Sequence, residues 1–74
     1  MPTADEIKQR IESTIPEASA QVDGADGVHF QAVVTSPAFA GKTRVAQHRM
    51  VMDVFAGELG GSIHAMALTT KTPS

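Results

Sequence analysis

Apolar residues change their spacing partway along this chain, and that change limits what it can fold into. Ile7, Ile11 and Ile15 recur every four residues, with Lys8, Gln9, Arg10 and Glu12 between them. This is the single apolar face of an amphipathic helix. Between Val28 and Thr35 the period drops to two. Phe30, Ala32 and Val34 fall on one face and His29, Gln31, Val33 and Thr35 on the other, as in a strand with one buried side. A chain carrying both periods packs helices against a sheet.

Local residue chemistry sets the boundaries. Thr3 followed by Glu6 fits a capping box, and Pro16 ends the first helix. Ala18 to Val22 predicts a first strand. Asp23-Gly24-Ala25-Asp26-Gly27 predicts a turn, in which Gly24 and Gly27 supply positive φ, so this strand and the next form an antiparallel hairpin. Ser36-Pro37 suits an N-cap and first helical position, and Gly41 a stop, giving one short turn at Pro37 to Ala40. A longer helix is expected from Thr43 or Arg44 to Leu59. Its buried stripe would be Val45, Met52, Phe55 and Leu59, widened by Val51. Gly57 weakens that helix and Gly60-Gly61 ends it. Ser62 to Thr70 completes the set as a third strand.

The result is an α/β (α+β) order, α-β-β-α-α-β, with a three-stranded mixed sheet covered by helices. A strand–helix–strand passage between neighbours favours a parallel pair with a right-handed crossover. His29 and His64, at the starts of the second and third strands, then share one end of the sheet. Neighbouring strands lie about 4.8 Å apart, so the two imidazoles can approach each other where a bulge or a frayed strand start offsets the pleat. Perfectly regular strands would put His29 and His64 on opposite faces.

Composition removes several kinds of chemistry. The 74 residues allow one domain and one core, and a chain this short buries only about 60% of its unfolded surface. There is no Cys, so the chain alone offers no disulfide, thiol nucleophile or thiolate metal site. A net charge of -2 with six basic residues gives no general attraction to nucleic acid. No apolar run reaches the roughly 20 residues that span a bilayer. The acidic first residues do not resemble a secretion signal, and the expectation is a soluble cytoplasmic protein with no membrane partner. No Ser/His/Asp order, carboxylate pair or phosphate loop suggests an enzyme.

Taken together, Val28-His29-Phe30-Gln31-Ala32-Val33-Val34, Ser36-Pro37-Ala38-Phe39-Ala40-Gly41-Lys42, Gln47-His48-Arg49-Met50-Val51, Ile63-His64-Ala65-Met66-Ala67-Leu68 and Thr70-Lys71-Thr72-Pro73 resemble the BolA-like protein family over nearly the whole chain. The resemblance implies a fold similar to the class II KH domain. It also implies pairing with a monothiol glutaredoxin, in which a two-iron, two-sulfur cluster is shared with glutaredoxin and glutathione and none is bound by the isolated chain. By position, His64 matches the family's C-terminal His ligand. The loop Asp23–Gly27 lacks the Cys or His that the family often carries there, while His29 matches the family's His-Phe dipeptide and is a candidate for a second-ligand or ligand-supporting role.

The residues themselves leave plainer roles open. His64 alternates with Met66 and Leu68 and, without the resemblance, reads as a histidine at the edge of the core. His29 reads as a strand-edge histidine, and His48 as a packing residue. Lys42, Arg44 and Arg49 form a basic cluster near the start of the long helix. With His48 they are the candidate surface for an acidic partner or for nucleic acid. A lone Gly41 does not make the Gly-x-x-Gly loop of nucleotide-clamping KH domains. A KH-like transcription regulator is the alternative function, and a homodimer stays open.

Overall fold

The computed structural model describes residues 3–24, 29–55 and 65–73. Thr3 caps the first helix, α1 (Ala4–Thr14), its Oγ1 accepting from the Glu6 N–H at 3.2 Å. The helix stops at Ile15, ahead of Pro16. Ile7, Ile11 and Ile15 are all buried, as their spacing requires. Glu17 then takes a left-handed backbone, φ 54°, where the chain turns back toward the sheet.

Two strands follow, β1 (Ser19–Asp23) and β2 (His29–Thr35), paired antiparallel with Ala20 opposite Val34. Phe30, Ala32 and Val34 are buried, while His29 and Gln31 are exposed. Ser36 is wholly buried but satisfied. Its hydroxyl donates to the Pro16 carbonyl at 2.6 Å and accepts from the Ala38 N–H, capping a 3-10 turn, η1 (Pro37–Phe39). Gly41 follows with φ 74°, a left-handed position that suits glycine.

The second helix, α2 (Arg44–Val54), is capped by Thr43 and leads to β3 (Ala65–Lys71), which runs parallel to β2. The sheet order is β1-β2-β3. Both helices pack on one face of it, around a core of Ile7, Ile11, Phe30, Val34, Val51 and Phe55. Among the described residues the other face carries no helix.

The structure corrects two sequence expectations for α2. The helix ends at Val54 instead of running to Leu59. Phe55 leaves helical geometry at φ -112°, ψ 25°, and its N–H bonds the Met52 carbonyl in a tightened last turn while its ring enters the core. The stripe is also rotated. Val45 is 67% exposed, and the inward face follows Gln47, Val51 and Phe55. Gln47 is the reason. Its amide donates to the carbonyls of Phe39 at 3.1 Å and Lys42 at 3.0 Å, and its Oε1 accepts from Thr70 Oγ1 at 2.7 Å. A polar residue satisfied three times on the inward side replaces the apolar one that periodicity would seek. Gly27, Gly57, Leu59, Gly60-Gly61 and the beginning of the third strand at Ser62 lie outside the described residues.

One ion pair ties α1 to β1. Lys8 Nζ lies 2.6 Å from Glu12 Oε2, and that carboxylate also accepts the Ala20 N–H at 2.9 Å. The Lys8 bond first, then the Ala20 bond, holds the Glu12 carboxyl below its ordinary range. A carboxyl with a lowered folded-state value contributes stability that is present above the ordinary value and is lost as the pH falls through the lowered one. Urea midpoints should therefore fall between pH ~5 and pH ~3. Glu12→Gln should flatten that part of the profile, and an unchanged acid slope would mean the pair contributes nothing.

Candidate functional site

The parallel register decides which candidate residues meet. His29 opens β2 as an exposed residue, and its partner across the sheet is Ala65. Ala65 is the covalent neighbour of His64, which itself lies outside the described residues. The expected parallel arrangement of the second and third strands is present, from His29 opposite Ala65 to Thr35 opposite Lys71. Phe30 and Met66 are also register partners and both belong to the core side, so His29, one residue before Phe30, lies on the opposite face of the sheet.

The basic candidates lie toward the other end of the strands. Arg44 and His48, one helical turn apart, line a recess with Leu68, Thr69 and Thr70 of β3. From Ala65 the strand advances roughly 10 Å to Leu68 and roughly 16 Å to Thr70, so the recess lies toward the other end of β3 from His29. Lys42 and Arg49 are exposed. Arg49 is five positions beyond Arg44, about 140° around the helix, so the basic cluster expected from sequence does not present a single face.

Two residues that matter to this geometry were not singled out from sequence. Gln47 fixes α2 against Thr70 and thereby sets where Arg44 and His48 stand. Arg10 lies with its guanidinium 4.8 Å from the Phe55 ring centroid and donates to the Val54 carbonyl at 3.1 Å, closing the end of α2. Polar residues on otherwise regular helices give no periodic trace of such bonds. Among the described residues no group of three or more His, Cys, Asp or Glu side chains is placed to hold a metal.

Two helices on one side of a three-stranded mixed sheet, with an exposed His at the end of its parallel pair, define a small two-layer α+β module. Comparison with known proteins identifies the group it falls in. A family described as BolA-like protein matches residues 5–74, and the chain belongs to that family. The structure of a bolA protein homologue from Coxiella burnetii superimposes with a TM-score of 0.85 at 40% identity, covering 99% of this chain and 94% of that one. The DNA-binding transcriptional regulator BolA of Vibrio cholerae is 48% identical over 44 residues, 60% of this chain and 42% of its own length. SufE-like protein 1, chloroplastic/mitochondrial, of Arabidopsis thaliana is 40% identical over 52 residues, 69% of this chain and 14% of its own length. The chain thus spans less than half the length of these two curated relatives. No described helix is long and apolar enough to cross a membrane.

Proposed function

We propose that this chain is a non-enzymatic adaptor that binds a monothiol glutaredoxin and offers imidazole to a two-iron, two-sulfur cluster carried between them. The observation that carries the reading is the register of the exposed His29 with Ala65, which is next in sequence to His64. Family membership supports it. The donor set fits a shared cargo rather than a resident one. The chain has no Cys, so thiolates must come from glutaredoxin and glutathione. Neutral imidazole is a competent iron ligand whose bond yields to protonation, which suits transfer.

The test mixes the protein with cluster-loaded glutaredoxin and glutathione and follows visible circular dichroism. New bands are expected that are mostly lost in His64→Ala and weakened in His29→Ala. An unchanged spectrum, or the same change in His64→Ala as in the parent, would overturn the proposal.

A second reading, a nucleic-acid-binding regulator, is favoured by the name of the Vibrio cholerae relative and by the Arg44–His48 recess. It predicts duplex DNA binding by fluorescence anisotropy that weakens steeply with salt and drops in Arg44→Ala. Binding with neither property would remove it.

A further inference from the structure

Among the described residues both outer strands of the sheet are edges, and the chain treats them differently. On β1 the peptide groups of Ala20 are already engaged by α1: its N–H donates to Glu12 Oε2 at 2.9 Å, and its carbonyl accepts from Lys8 Nζ at 3.1 Å. Side chains thus occupy the middle of that edge. On β3, among the described residues, no side chain bonds the main chain of Ala65–Lys71, and only β2 pairs with it. Its seven residues contain no Pro and keep register with β2 throughout. Alternate peptide groups along such an edge face outward unpaired, which makes it a template for a further strand.

The ground beside this edge is shaped and charged. The recess lined by Arg44, His48, Leu68, Thr69 and Thr70 includes residues from both faces of β3, so it runs along the strand's rim beneath α2. Charge divides across the sheet. Lys42, Arg44, Arg49 and Lys71 lie on α2, β3 and the approach to α2, against Asp53 as the acidic residue described there, while Asp5, Glu6, Glu12, Glu17 and Asp23 lie on α1, β1 and the turn between them. Lys8 and Arg10 on α1 offset part of that acidic charge, and among the described residues the balance is acidic on α1 and β1 and basic on α2 and β3, despite a net charge of -2 for the whole chain.

We propose that the β3 edge, with Arg44 and His48 beside it, is a docking groove for an extended acidic peptide segment of a partner protein, which adds to the sheet as a fourth strand. Unpaired N–H and carbonyl groups are matched by the main chain of an extended peptide, and carboxylates on its alternate residues meet the guanidinium and imidazole. Leu68 supplies apolar contact. Duplex DNA would answer the charge but leave the strand's peptide groups unmatched. A second copy pairing β3 with β3 would match the peptide groups but bring no carboxylate from β3 to Arg44 and His48. The recess beside the edge lies toward the Thr70 end of β3, whereas His29 is opposite Ala65 at the other end. The test uses the chain without a cluster, so its outcome is read separately from the proposed function.

The experiment titrates isotope-labelled full chain with a peptide of alternating Glu and Val, as long as β3, and reads amide shifts and hydrogen exchange. Slowed exchange at alternate β3 amides, with none at β1, is the expected result. Arg44→Glu should weaken binding about fivefold, the size of one exposed ion pair, and the same peptide with Lys for Glu should not bind. The proposal is overturned if the β3 amides are unprotected at saturating peptide, if β1 responds equally, or if Arg44→Glu binds as tightly as the parent. Protection of β3 by duplex DNA but not by peptide, or by raising the protein concentration alone, would assign the edge to nucleic acid or to self-association instead.

Discussion

Phe55→Ala is expected to remove most of the protein's stability. The ring is fully buried and joins Ile7, Ile11, Phe30, Val34 and Val51 in the core. It also ends α2 and lies beneath the Arg10 guanidinium. Truncating a buried Phe costs about 3–5 kcal/mol, through lost transfer energy and the cavity left behind. A domain of this length holds only about 4–11 kcal/mol in total. Thermal unfolding followed by far-UV circular dichroism should show the midpoint falling by about 15 °C or more, or no cooperative transition at all. Val45→Ala is the matched control. Sequence periodicity put both residues on one stripe, but Val45 is 67% exposed, so its loss should cost less than about 0.5 kcal/mol. Equal effects of the two substitutions would mean that α2 is rotated from the position described.

That pair of outcomes marks where the sequence was legible. Ile7, Ile11 and Ile15 and the Thr3 cap depend on contacts within a few residues, and their pattern is written in the chain itself. The same holds for the alternation of Phe30, Ala32 and Val34. The parallel pairing of β2 with β3 followed from connection geometry, and the His29 end of the site came with it. The phase of α2 did not follow, because Gln47 earns its inward place through Phe39, Lys42 and Thr70, which are 8, 5 and 23 residues away. The early end of α2 likewise depends on a ring packing under Arg10, which is remote in sequence. Of the site, the residue types were visible, but the separation of the basic side chains from His29 needed the strand register. The open β3 edge needed knowledge of which strand neighbours which.

Gly24→Ala is the second large effect expected, and its cause differs from the one that sequence suggested. A glycine after Asp23 reads as a turn residue supplying positive φ, but Gly24 is not left-handed; among the described glycines Gly41 is. What Gly24 lacks is room. A Cβ at this position would overlap Cδ1 and Cε1 of the Phe30 ring. That ring is 2% exposed and packed in the core, so it cannot swing into solvent to make space. Overpacking of this kind costs about 1–3 kcal/mol, or roughly 5–20 °C in the unfolding midpoint. Gly41→Ala separates the two causes, since a Cβ there meets nothing within 4 Å and the cost is only left-handed strain, about 1–2 kcal/mol. The deciding measurement is the double variant Gly24→Ala with Phe30→Leu. If ring overlap is the cause, the smaller side chain relieves it, and the pair is less destabilising than the sum of the single changes. A strictly additive pair would place the cost in the backbone of Gly24 and return the residue to the role of a turn former.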